Sequence, residues 1–447
     1  MRLREKLKIA VASTGMIVVV AFVVRMAILS YLAYLANRAG AGGVEGAPFA
    51  SETGAIAASI AAGRGFSSPL RFVRTGPTAW LAPIYPYLLA GVFKMFGIYS
   101  SASSLVIHTI NCAFSAFTAW PIAAIGALAF GKRTGRAAAW LWTILPTSVF
   151  YSIFWIWDTA LAGLWMALLV LATLKLRGSS RLAAWVGYGA LWGVGALINP
   201  SLLSVLPFLA LWAIWPQTPA RAAKLASASA LIFLACLAPW TIRNYVVFHK
   251  LIPLRSNFGL ELLLGMRVDV PDGIRSPLHP NDNLQEAQKY ARLGEIAYMQ
   301  DKQREALAMI RESPMGAVTL FMRRLEENWL DLWDSPFDLW VAATLTGKLQ
   351  MLGNFLFAAL CWLGALTALR VRKDAALPLA MVLLAFPLVF YLTHASLRYR
   401  QPMDGIMLVL ATYAAGDLLS RLATRFSAAQ HPRPATPTSS VMEADPQ

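Results

Sequence analysis

Apolar runs of about 20 residues, the length that crosses a hydrocarbon core of roughly 30 Å as a helix, recur from Ile9 to Leu419 between short breaks carrying Lys and Arg. Within lipid a backbone must satisfy its own hydrogen bonds, which an α-helix does. The runs predict spans near residues 9–35, 103–130, 136–156, 159–175, 182–198, 201–215, 224–241, 346–369, 375–393 and 404–419. Composition supports the pattern: 57% of the 447 residues are apolar and only 14% charged, against about 25% charged in soluble domains. The expectation is an all-α polytopic membrane protein with about ten transmembrane helices.

Charge fixes which ends of the spans face inward. With the N-terminus in the cytoplasm, the short inner loops hold Lys132, Arg133 and Arg136; Lys175, Arg177 and Arg181; Arg221 and Lys224; Arg370, Arg372 and Lys373; and Arg421 and Arg425. The short outer connections near Asp158 and Asn199–Pro200 hold neither Lys nor Arg. This asymmetry matches the positive-inside rule in one orientation and opposes it in the mirror image. Both termini are therefore expected in the cytoplasm, in an inner (cell) membrane. The basic start Met1–Lys8 precedes an apolar stretch too long for a cleaved signal, so it reads as a retained first span.

The net charge of +16 comes from residues dispersed among loops, with no basic helix or stripe to suit nucleic acid. Cys112, Cys236 and Cys361 lie in apolar runs without metal-ligand spacing, and His249, His279 and His394 are scattered, so no metal or other cofactor is expected. No nucleotide fingerprint or Ser-His-Asp series is present.

Four regions follow from the span pattern: an N-terminal transmembrane module over 1–241 with an outer loop at 36–102, an extracytoplasmic helical region over 242–345, C-terminal spans over 346–425, and a Pro-, Ala-, Thr- and Ser-rich cytoplasmic tail over 426–447. Ile84–Phe96 is short for a crossing, and counting it as one would invert every later loop, so it is expected to lie in the outer interface. Residues 284–311 combine charge with helically spaced apolar positions, predicting a small helical subdomain on the outer surface.

Candidate chemistry collects on that outer side. Glu52 precedes a short helix of small residues ending at glycines, and Asp158 ends the third span within Trp155-Ile-Trp-Asp158. An acid at the membrane boundary is costly unless it faces a polar cavity. Cations oppose these acids: Trp240-Thr-Ile-Arg-Asn-Tyr245 contributes Arg243 and Asn244, Leu397-Arg-Tyr-Arg400 contributes Arg398, Tyr399 and Arg400, and Arg25 lies well along the first span. Arginine's planar fork suits phosphate, although snorkelling explains an interfacial arginine equally well. Solvation alone would likewise account for an isolated Glu52.

These stretches, together with Gly76-Pro-Thr-Ala-Trp-Leu-Ala-Pro-Ile-Tyr-Pro86, Ser256-Asn-Phe-Gly259 and Arg398-Tyr-Arg-Gln-Pro402, resemble the GT-C membrane glycosyltransferases. The likeness is to bacterial relatives of the dolichyl-phosphate-mannose protein mannosyltransferases and of the aminoarabinose and lipopolysaccharide-core transferases. It implies a GT-C-like bundle with interfacial helices in the first outer loop, and an inverting transfer of sugar from a polyprenyl-phosphate donor to a lipid, glycan or protein acceptor. Glu52 would be the base, Asp158 an assisting acid, and Arg25, Arg243, Asn244, Arg398, Tyr399 and Arg400 the ligands of the carrier phosphate. Many relatives carry Asp or an Asp-Glu pair where this chain has Ser51-Glu52. A lipid-linked-saccharide flippase and a non-catalytic assembly protein are the competing classes; the first would show internal repeats, and the second would need no convergence of acids and arginines.

Overall fold

The structure, a computed structural model, describes residues 13–38, 49, 51–70, 72–266, 276–330, 344–371 and 373–430. The expected tail beyond Gln430 lies outside them, as do parts of both long outer segments.

The described residues form helices throughout, with no strand beyond two isolated bridges. Helix α1 (Thr14–Arg38) is long and apolar enough to be the first span, and the segment after it, expected as the first outer loop, carries α2 (Ser51–Ala61) and α3 (Ile84–Phe96). Helix α4 (Ser101–Phe117) meets α5 (Ala119–Phe130) at Thr118, whose backbone is itself helical, so the two form one apolar span of 30 residues. The crossing expected at 136–156 is divided into α6 (Lys132–Ile144) and α7 (Pro146–Ile153). Pro146 has no N–H and pushes Leu145 out of helical geometry, to ψ 119°.

Helices α8 (Thr159–Leu176) and α9 (Leu182–Ile198) follow, then a 3-10 turn at Pro200–Val205, α10 (Leu206–Ile214) and α11 (Pro219–Phe248). The region expected on the outer side holds α12 (Phe258–Leu264), α13 (Leu284–Leu293), α14 (Glu295–Glu312) and α15 (Pro314–Leu330). The C-terminal part comprises α16 (Leu345–Val371), α17 (Lys373–Ala385), α18 (Leu388–Leu392) and α19 (Leu397–Gln430). Two helices clearly outrun the expected spans. Helix α11 runs seven residues past 241, because Tyr245, Val246 and Val247 continue its exposed apolar face, and α19 continues through 426–430.

Six helical segments among those described are long and apolar enough to span a bilayer: Thr14–Leu35, Ser101–Phe130, Thr159–Leu176, Pro219–Phe248, Leu345–Val371 and Leu397–Phe426. The other expected crossings are the broken α6–α7 pair and shorter apolar helices at 182–198, 200–214 and 376–392. Helix α8 lies at the centre, 72% of its apolar window buried, whereas α1 and α11 bury only 22% and 17% and turn the rest outward. Lipid offers no hydrophobic drive between helices, so close backbone approach replaces it. Glycines supply that approach: a Cβ on Gly189 of α9 would lie 2.1 Å from the Ser229 carbonyl oxygen of α11, and one on Gly364 of α16 equally near that of Leu410 in α19.

Candidate active site

Helix α2 opens with Glu52 in its first turn, against the loop that precedes α13. The Glu52 side chain is buried, and its Oε1 accepts from Asn281 Nδ2 at 2.8 Å and lies 3.3 Å from His279 Nε2. No described residue donates to Oε2, and that oxygen is not among the sealed, unpartnered polar atoms. His279 packs edge-on to Trp80, ring centroids 5.9 Å apart.

A parallel bridge between Phe49 and Ile156 sets the Glu52 segment beside the Asp158 segment. Asp158 directly precedes α8 and accepts from Asn199 Nδ2 at 3.1 Å. Burial pushes its carboxyl up to about 6 from the ordinary 3.8, against the opposing pull of Arg255, Arg398 and Asn199. The Arg398 guanidinium is boxed by aromatics, 4.6 Å from the ring centres of Trp157 and Tyr399 and 5.3 Å from that of Trp155. It also donates to the Tyr399 hydroxyl, which lies 2.5 Å from His394 Nε2. Arg255 donates to the Trp80 carbonyl at 3.2 Å and sits 3.8 Å from Glu261, which in turn approaches His394 at 3.4 Å. Trp80 thus joins both halves, its ring on His279 beside Glu52 and its carbonyl on Arg255 beside Asp158.

The structure brings Glu52, Asp158, Arg398 and Tyr399 together on this side and gives the other four candidates different work. Arg25 is fully buried; its guanidinium donates to Ser115 Oγ, Ser148 Oγ and the carbonyls of Ala21, Trp142 and Thr143, tying α1 to α4 and to the α6–α7 break. The unpaired carbonyls created by Pro146 are what this arginine caps. Arg243 donates to the carbonyls of Thr78 and Phe66 at 2.6 and 2.8 Å, and to Asn244 Oδ1. Asn244 donates to the Ile252 carbonyl, so both clamp the outer loops onto the end of α11. Arg400 is sealed inside the bundle, paired with Asp404 at 3.2 Å and donating to the carbonyls of Asn328 and Trp329. Backbone carbonyls and neighbouring side chains take the donors of Arg25, Arg243 and Asn244, whereas Arg400 commits Nε to Asp404 and Nη1 to the two carbonyls, and its buried Nη2 has no partner among the described residues.

Sequence reasoning weighed His279 only as a metal ligand and passed over Asn281, Arg255, Glu261 and Glu295. Glu295, at the start of α14 after the left-handed Gly294 (φ 78°), accepts from the Ala79 N–H at 2.7 Å, the Ser256 hydroxyl at 2.6 Å, the Tyr290 hydroxyl at 2.5 Å and the Thr78 hydroxyl. It binds the Gly76–Pro86 stretch to the outer helices. The signals were slight: Arg255 directly precedes Ser256-Asn-Phe-Gly259, and His279-Pro-Asn-Asp-Asn283 is rich in turn formers. No group of three His, Cys, Asp or Glu side chains able to hold a metal occurs among the described residues.

Residues 80–242, just over a third of the chain, match the family model described as dolichyl-phosphate-mannose-protein mannosyltransferase. No curated protein matches the chain by sequence. Among solved structures, the Archaeoglobus fulgidus oligosaccharyltransferase in complex with Zn and sulfate aligns at TM-score 0.50 and 13% identity, over 93% of this chain and 50% of that one. The same enzyme tethered with an acceptor peptide containing the NVT sequon aligns at 0.51 and 14%, over 84% and 46%. ArnT from Cupriavidus metallidurans bound to undecaprenyl phosphate aligns over 89% of this chain and 79% of that one at 12% identity, with a TM-score of 0.36. The chain spans about half the length of the archaeal enzyme, and the likeness to it is one of fold.

Proposed function

We propose that the chain is a GT-C-type membrane glycosyltransferase that transfers a sugar from a polyprenyl-phosphate donor to an acceptor hydroxyl on the extracytoplasmic face, with inversion; the family match over residues 80–242 and the likeness of fold to the archaeal oligosaccharyltransferase support the reading. One observation carries the reading: a carboxylate held through one oxygen, Glu52, with no described donor on the other, is linked through His279, Trp80, Arg255 and Asp158 to an aromatic-boxed arginine, Arg398.

In the proposed reaction Glu52 Oε2 takes the proton of the acceptor hydroxyl as its oxygen attacks the anomeric carbon. The bond from that carbon to the phosphate oxygen breaks, and its electron pair leaves with the phosphate. Arg398, with Arg255 beside it, meets the charge that grows there. Asp158 lies between these cations in the electrostatic sense, drawn on by both, and orients them when ionised. Phosphate leaves readily as an anion, so a strong general acid is unnecessary. The aromatic faces of Trp155 and Trp157 border the arginine and suit the apolar face of a sugar ring.

The test is transfer by the purified protein in liposomes, from a panel of radiolabelled polyprenyl-phosphate sugars to a panel of lipid, glycan and peptide acceptors. Transfer of one sugar class with inverted anomeric configuration is the expected result, and Arg398→Ala should raise the donor KM about 10- to 100-fold, the value of a charge-assisted hydrogen bond of roughly 1.5–3 kcal/mol. Folded protein that transfers nothing but moves the lipid-linked sugars across the bilayer would replace this reading with transport.

A further inference from the structure

His279 contributes to the site in a way its sequence position does not advertise. Its Nδ1 accepts the backbone N–H of Asn281 at 3.1 Å, so that nitrogen bears the lone pair and, in the neutral ring, the hydrogen resides on Nε2. Nε2 is the atom that faces Glu52, 3.3 Å from Oε1. Asn281 Nδ2 donates to that same oxygen. One tight turn therefore aims two donors at one oxygen of the carboxylate and none at the other.

The turn is itself braced. The amides of Asp282 and Asn283 both donate to the His279 carbonyl, at 2.9 and 3.0 Å, and Asn283 caps α13 through the Gln285 N–H at 2.9 Å. Trp80 holds the imidazole ring from the side, and Trp80 also stacks near Tyr290 of α13 at 5.6 Å. The ring is largely buried, so rotation would meet packed neighbours, and the carboxylate it faces belongs to a different, distant segment of the chain.

We propose that His279 is a positioning residue which, with Asn281, anchors Glu52 through Oε1 so that Oε2 alone is presented to the acceptor hydroxyl. The inference rests on the transferase reading and deepens it: the outer region supplies the orientation of a base located in the first outer loop. Without the imidazole donor the carboxylate rotates about its own axis, and the proton acceptor departs from the line of the attacking oxygen. A displacement on the order of 1 Å costs about 100-fold in rate, and the donor, held by Arg398, is bound as before.

The experiment is steady-state transfer in liposomes by wild type, His279→Ala, His279→Gln and Asn281→Ala, with kcat and the donor KM measured separately and folding followed by thermal unfolding in detergent. His279→Ala is expected to lose about 100-fold in kcat with the donor KM within roughly threefold of wild type. The glutamine carboxamide carries an N–H to about the place of Nε2, so His279→Gln should recover at least about tenfold of that loss. If His279→Ala does not fold, a folded His279→Gln that turns over within about tenfold of wild type, together with a depressed Asn281→Ala, supports the role. A kcat within about threefold of wild type in His279→Ala, a defect confined to the donor KM, or a folded glutamine variant no better than alanine overturns it. A wild-type protein that transfers no sugar would instead remove the transferase reading on which the role depends.

Discussion

Glu295 offers a test of how the outer helices hold the first outer loop. Its carboxylate collects four donors, and Glu295→Ala removes them all at once. The hydroxyls of Thr78, Ser256 and Tyr290 can turn to other acceptors, but the Ala79 N–H is fixed by its backbone. A hydrogen bond to a charged acceptor contributes about 1.5–3 kcal/mol. Opening of the segment around Ala79 should become easier by that amount, which corresponds to roughly 10- to 150-fold faster amide exchange. Glu295→Gln keeps an oxygen for Ala79 as a neutral acceptor, so its effect should be smaller, about 0.5–1.5 kcal/mol. Global stability should change less than local opening, because deleting the carboxylate also relieves the burial of a charge. Hydrogen exchange read by mass spectrometry on peptides covering residues 75–81 measures this directly. Unchanged protection there in a folded Glu295→Ala protein would refute the idea that this carboxylate pins the loop.

Arg25→Lys keeps the charge but offers at most three donors in place of the guanidinium's five, so thermal stability should fall by about 3 kcal/mol or more while the donor KM of the folded fraction stays at the wild-type value; a raised KM would return Arg25 to the phosphate site. Gly189→Ala would drive a methyl to 2.1 Å from the Ser229 carbonyl oxygen, and separation of α9 from α11 should cost about 1–3 kcal/mol in unfolding measurements. Asp158 titrates near 6 when folded, above its ordinary 3.8. Between those values the folded chain holds a proton the unfolded chain has released, so stability should decline as pH rises through that window, and Asp158→Asn should flatten that part of the curve.

The helical fold was largely legible because lipid leaves few choices: apolar length predicts the long helices. The helix at Ile84–Phe96 was legible in the same way. What escaped was local. A break at Pro146 could be read as a mere kink, since nothing in sequence says that Arg25, over a hundred residues earlier, turns back to satisfy the carbonyls it exposes. The two acids were visible because carboxylates near a membrane are rare and expensive. Their partners were hidden by contact order: Asn281 reaches Glu52 across 229 residues, and no periodicity links them. The arginines misled for a related reason. A guanidinium serves backbone carbonyls as well as it serves phosphate, and only geometry separates Arg398, enclosed by aromatic rings, from Arg243, which donates to the carbonyls of Thr78 and Phe66.

The most direct test of the central claim is a single-turnover comparison of wild type with Glu52→Gln in liposomes, carried out with the donor that wild type accepts and with donor affinity measured in parallel. The glutamine variant should bind the donor with affinity near that of wild type and transfer at least about 100-fold more slowly, as expected when a general base is lost. Transfer at a near wild-type rate by Glu52→Gln would contradict it.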